Sequence, residues 1–140
     1  MPRYTRIILA LAAVLGAIQA GCSNPADPGL KEIQRVRAAD LDVLLLSDDG
    51  TLTDGKDTVT VEFRRASDGA LVDVGKVKSF ATMPMAGLPP MMGSVFLNPG
   101  DTPGRYSAET DLGMSGGWDL KLEWDGPAGK GNASLHTNAE

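Results

Sequence analysis

The chain has 140 residues, with 13 Lys and Arg against 18 Asp and Glu, a net charge of −5 and a single cysteine. An acidic chain without a basic patch cannot neutralise phosphates, which excludes a nucleic-acid partner. One cysteine excludes an intramolecular disulfide and a cysteine metal cluster, and one histidine, His136, leaves no serine–histidine–acid arrangement, so the sequence reads as a non-enzyme.

The N-terminus has the layout of a secretory signal. Arg3 and Arg6 form a basic n-region, and residues 7–18 are an uncharged apolar run. That run is too short for a stable transmembrane anchor and suits an h-region. Ala20-Gly21-Cys22 resembles the end of a bacterial lipobox, where the cysteine is lipidated and becomes the mature N-terminus. Gln19 departs from the aliphatic residue usual three positions before that cysteine, and plain cleavage after Ala20 is the rival. Residues 1–21 are thus read as a lipoprotein-type signal peptide cleaved before Cys22. Its removal takes away Arg3 and Arg6 and no acidic residue, moving the charge from −5 to −7. The location expected is the bacterial cell envelope, on the periplasmic side and lipid-anchored, with the outer membrane favoured over the inner.

Residues 22–40 read as a tether. Ser23-Asn24-Pro25-Ala26-Asp27-Pro28-Gly29 has linker composition. Ile33 and Val36, three apart, suggest a short helical turn over 31–39. From Leu41 to His136 the pattern is β. Val59, Val61 and Phe63 alternate with polar neighbours, as do Tyr106, Ala108 and Thr110, then Trp118, Leu120, Leu122 and Trp124, then Ala133 and Leu135. Asp-Gly and Pro-Gly turns separate about seven short strands. The expectation is an all-β domain over 41–136, an immunoglobulin-like antiparallel β-sandwich without a disulfide. In the clearest of these strands, Trp118, Leu120, Leu122 and Trp124 should be buried and Asp119, Lys121 and Glu123 exposed.

The chemical hint is methionine. Of six, four fall in Met83-Pro84-Met85-Ala86-Gly87-Leu88-Pro89-Pro90-Met91-Met92, and Met114 lies in a second glycine-bracketed segment. Thioethers are soft, neutral ligands that suit Cu(I). Met83, Met85, Met91, Met92 and Met114 are therefore candidate ligands for Cu(I) or Ag(I), with Trp118 as a candidate aromatic support and His136 as a candidate additional ligand. No metal is expected to be needed for folding. The competing interpretation is that methionine, being adaptable, plugs one end of the fold or forms a contact surface. The carboxylates of Asp48-Asp49-Gly50 and Asp54-Gly55-Lys56-Asp57 lack calcium-loop spacing and read as hairpin turns.

Several segments taken in order resemble a known family. They are Asp57-Thr58-Val59-Thr60-Val61, the Asp68-Gly69 turn, Met83-Pro84-Met85 with Met91-Met92, Pro103-Gly104-Arg105-Tyr106-Ser107-Ala108, and Asp111-Leu112-Gly113-Met114-Ser115-Gly116-Gly117-Trp118. Over roughly residues 41–125 this resembles the YtkA-like and FixH-like bacterial envelope domains. The resemblance implies a β-sandwich facing the periplasm or cell exterior, associated with copper handling, cation efflux or the assembly of copper-containing oxidases. FixH-like relatives are held by a transmembrane helix, whereas this chain carries a lipoprotein-type signal. Two functions follow as expectations. One is a tethered envelope protein that binds Cu(I) or Ag(I) through the Met-rich loop. The alternative is an interaction module whose exposed Met-rich loop docks an envelope partner protein without metal.

Overall fold

A computed structural model describes residues 29–140 as eight strands. They are β1 (Lys31–Ala38), β2 (Leu41–Ser47), β3 (Gly55–Arg65), β4 (Val77–Met83), β5 (Met91–Pro99), β6 (Arg105–Leu112), β7 (Gly116–Gly126) and β8 (Gly129–Ala139). The expected signal peptide, Cys22 and the start of the expected tether lie outside the described residues. No helix among the described residues is long and apolar enough to cross a membrane.

All pairings between these strands are antiparallel, in the order β1-β2-β3-β6-β5-β4-β7-β8. The sheet curls until its two ends, β1 and β8, approach each other, so the shape is nearly a barrel. The segment after β2 completes the seam: Leu52 bridges Ala139 in parallel, and the Glu140 N–H donates to the Leu52 carbonyl at 2.8 Å. The all-β class and the antiparallel pairing agree with the sequence reading, with eight strands where about seven were expected.

The tether reading is corrected at its C-terminal end. Residues 31–38 form β1 rather than a helical turn. The register shifts between Glu32 and Gln34, which leaves Ile33 as the extra residue of a β-bulge. A bulge inverts the alternation beyond it. Ile33, Val36 and Ala38 therefore all pack on the core despite the spacing of three, which imitates a helical period. The domain also runs past His136, since β8 continues to Ala139.

One core lies inside the curl. Phe63 on β3 meets Tyr106 on β6 edge-on at 5.4 Å between ring centroids and Trp124 on β7 at 5.1 Å. Such pairs add about 0.5–1.5 kcal/mol each beyond the burial of the rings. β7 alternates as expected, with Trp118, Leu120, Leu122 and Trp124 buried, Lys121 and Glu123 exposed and Asp119 in between.

β5 is the corner strand. Residues 91–93 pair with β4, and residues 94–99 pair with β6. A strand that changes partners must bend. Gly93 sits at the change, where a Cβ would lie 2.9 Å from Leu112 Cδ2 and 2.9 Å from Trp118 Cζ3. On the face of β3 away from Val61 and Phe63, Glu62 is fully buried and held by Arg64 at 2.7 Å and Arg105 at 2.8 Å.

Candidate functional site

Antiparallel pairing sets the methionine geometry. Met83, the last residue of β4, stands directly opposite Met91, the first of β5. Side chains directly opposed across a ladder leave the same face with Cβ atoms about 4.5–5.5 Å apart. Met83 is buried, and Met91 is half-buried against the core. Met85 lies two residues past the strand, in the 84–90 loop, and also packs against the core. Its carbonyl accepts the Leu88 N–H at 3.3 Å, a turn that begins to reverse the chain before Pro89-Pro90. Met83, Met85 and Met91 thus gather at one end of the curl.

Met92 does not join them. It stands opposite Thr82 and is 64% exposed on the outer face, because alternation along β5 sends residues 91, 93 and 95 inward and 92 outward. The candidate ligands divide accordingly, with Met92 on the opposite face of the sheet from Met83 and Met91.

The fifth methionine comes from the β6–β7 loop, which lies over the same pair. A Cβ on Gly113 would lie 3.4 Å from Met91 Sδ, and one on Gly116 would lie 3.1 Å from Met83 Cε. The loop rests on both thioether arms through two residues without side chains. Met114, between them, is 41% exposed. Gly116 has φ +129°, in the region that favours glycine.

Trp118 fixes this loop. Its indole is fully buried, and Nε1 donates to the Met114 carbonyl at 3.0 Å. Its six-membered ring lies against Gly93, two residues from Met91. The support role proposed for Trp118 thus has a geometric basis at the methionine end, while Trp124 packs in the aromatic group around Phe63.

His136 is elsewhere. It lies on the outer face of β8 opposite Asp119, with Nδ1 2.8 Å from the Asp119 carboxylate and its side chain largely exposed. The outer-face row running His136, Asp119, Thr82, Met92 spans four adjacent strands. At about 4.8 Å per strand, three spacings separate His136 from Met92. His136 thus joins neither Met92 nor the inward thioethers. Among the described residues, no three His, Cys, Asp or Glu side chains gather as a metal site.

The loop carboxylates serve the turns. Asp49 accepts the Thr51 N–H at 2.9 Å and the Ser47 hydroxyl at 3.0 Å, and Asp57 accepts the Thr53 N–H at 3.0 Å. The Thr51 amide, with Thr51 and Ser47 side-chain bonds, holds the Asp49 carboxyl below its ordinary range. At the opposite end of the curl, Tyr106 donates its hydroxyl to the Gly75 carbonyl at 2.7 Å, and burial, with Asp73 nearby, pushes its pKa up.

Sequence reading found the methionines and Trp118 but missed the parts that arrange them. Gly113 and Gly116 as the loop's contact points, and Gly93 as the corner, are visible only once β4, β5 and β7 are placed together. The outward face of Met92 was available from parity, had β5 been placed to begin at Met91.

No curated protein and no solved structure matches the chain significantly. The YtkA-like family profile matches residues 35–123, which take in every strand from β2 to β6, half of β1, most of β7, and all five candidate methionines. The chain belongs to the YtkA-like family.

Proposed function

We propose that this is a tethered bacterial envelope domain, lipid-anchored through Cys22 on the periplasmic side, that carries Cu(I) or Ag(I) on thioether sulfur in copper handling or efflux and does no enzymatic chemistry. The ligands are Met83, Met85 and Met91, with Met114 completing the set from the overlying loop. The observation that carries the reading is the Met83–Met91 cross-strand pair beneath the Gly113–Gly116 loop. Met92 and His136 are left out of the ligand set. The metal is cargo here. Met83 is the one methionine among the buried residues of a core made chiefly of Val, Leu, Ala and aromatic side chains such as Phe63, Leu122 and Trp124, so the domain folds without the metal.

Family membership supports the envelope setting, and the signal-like N-terminus supports the anchor. The test is competition between the reduced, anaerobic domain and a Cu(I) chelator. The domain is expected to withdraw micromolar metal from the chelator; a chelator that keeps all of it contradicts the reading.

A second reading is an interaction module without metal. It is favoured by the exposure of Leu88, Met92 and Met114 around the same end. Under this reading the titration is blank, and an envelope partner protein shields those residues instead.

A further inference from the structure

The five large apolar side chains exposed among the described residues are not scattered. Phe80, Leu88, Met92 and Phe96 all belong to the β4–β5 hairpin, and Met114 belongs to the loop packed on it. Single exposed apolar residues are ordinary; five on one hairpin and its neighbouring loop are a patch.

The chain enters the domain at the same pole. Lys31 begins β1 opposite Ser47, and a Cβ on Gly50 would lie 3.3 Å from Lys31 Cβ. The Gly50 loop leads to Leu52, which bridges Ala139; Ala139 pairs with Gly116; Gly116 lies on Met83. Entry point and methionine loops therefore share one end of the curl.

Eight residues, 23–30, lie between Cys22 and Lys31. Fully extended they reach about 30 Å. The longest strands have 11 residues, about 36 Å of extended chain, which at the tilt of about 40° usual in barrel-like sheets stands roughly 28 Å high, so a domain standing on its opposite pole would need nearly all of that reach. A short tether keeps the methionine pole down. The charge of that pole adds a constraint. Asp48, Asp49, Asp54 and Glu140 are exposed there with Lys31, and a net acidic end is repelled by an anionic lipid surface.

We propose that the pole carrying Leu88, Met92 and Met114, with Phe80 and Phe96 on its flank, is a membrane-contacting surface whose occupant is a zwitterionic phospholipid bilayer. The inference rests on the lipid anchor of the reading above and not on its metal. Leu88, at the tip of the 84–90 loop, enters the headgroup boundary first. The proline pair behind it holds the tip with little conformational freedom to lose. The thioether site then opens toward the membrane, where a membrane-embedded donor or acceptor of the metal can meet it.

The test uses the mature chain as the cell produces it. Intact mass first reads the acyl groups on Cys22, and an unmodified cysteine overturns the proposal. Hydroxyl-radical footprinting then compares the protein on protein-free phosphatidylcholine–phosphatidylethanolamine vesicles with a soluble Cys22→Ser form. Labelling of Leu88, Met92 and Met114 is expected to fall at least fivefold on vesicles, with Leu71 and Val72 at the other pole unchanged. Replacing half the lipid with phosphatidylglycerol at low salt is expected to restore part of the labelling, and Leu88→Asp to restore most of it at Met92. Unchanged labelling on vesicles overturns the proposal. Protection found only in native envelope membranes also overturns it and assigns the surface to a membrane protein. The Cu(I) titration of the soluble form is read separately, so failure of the metal reading leaves this result standing.

Discussion

Met83 and Met91 face each other directly across the β4–β5 ladder, and each fills the space where a side chain would stand on one glycine of the loop that carries Met114. Three separate stretches of chain meet at that pair. A thioether pair of this kind fills the end of a core, and a soft monovalent ion needs the same arrangement of sulfur.

The ligand set makes metal affinity insensitive to mild acid. Thioethers shed no proton on binding, whereas an imidazole ligand competes with protons near pH 6.5. Cu(I) affinity is expected to change less than threefold between pH 7.5 and 5.5, and His136→Ala to leave it unaltered. A tenfold fall over that range, abolished in His136→Ala, would place the imidazole in the site. Stability has its own pH dependence. Asp49 has a lowered pKa when folded, so its contribution is complete above the unfolded value and is lost as pH falls through the folded one. Acid titration of the melting temperature should show the loss only below about pH 4.

Gly93 leaves no room for a side chain. An added Cβ meets both Leu112 and Trp118 at 2.9 Å, and both are fully buried, so neither has space to withdraw. Gly93→Ala is expected to destabilise the domain by about 1–3 kcal/mol through overpacking. It should also shift Trp118 fluorescence, since that ring must move. Urea denaturation followed by tryptophan emission reads both effects.

Glu62 is fully buried between two arginines. Glu62→Gln keeps the shape and removes the charge that Arg64 and Arg105 face. Removing one partner of a buried ion pair costs about 3–5 kcal/mol. The change lies toward the other end of β3 from the methionine pole, so Cu(I) affinity of the folded fraction should be unaltered. Chemical denaturation and metal titration of the same sample separate the two readouts.

The sequence foreshadowed the fold through β7 above all. The period of Trp118, Leu120, Leu122 and Trp124 is that of a strand with one wet face, and burial follows it. β1 was obscured because its bulge at Ile33 breaks the period of two, and the resulting spacing of three imitates a helix. The candidate site was legible as a composition, a cluster of thioethers with a tryptophan after a glycine pair. Its arrangement was not. The opposition of Met83 and Met91 depends on the length and bend of the intervening loop, which local pattern does not encode. The separation of Met92 depends on where β5 begins, and prolines at 89 and 90 hide that boundary. His136 was a reasonable candidate by chemistry alone, and its strand places it three spacings from Met92.

The division between Met91 and Met92 offers the most direct test of the account. The two are neighbours in sequence with identical side chains, and the strand sends them to opposite faces. Leucine conserves volume closely enough at either position to keep the fold. Anaerobic Cu(I) titration against a chelating competitor, run on Met91→Leu and Met92→Leu, is expected to show at least a tenfold loss of affinity for the first and less than a twofold change for the second. Equal losses in both, or none in Met91→Leu, would contradict a site built on the Met83–Met91 pair.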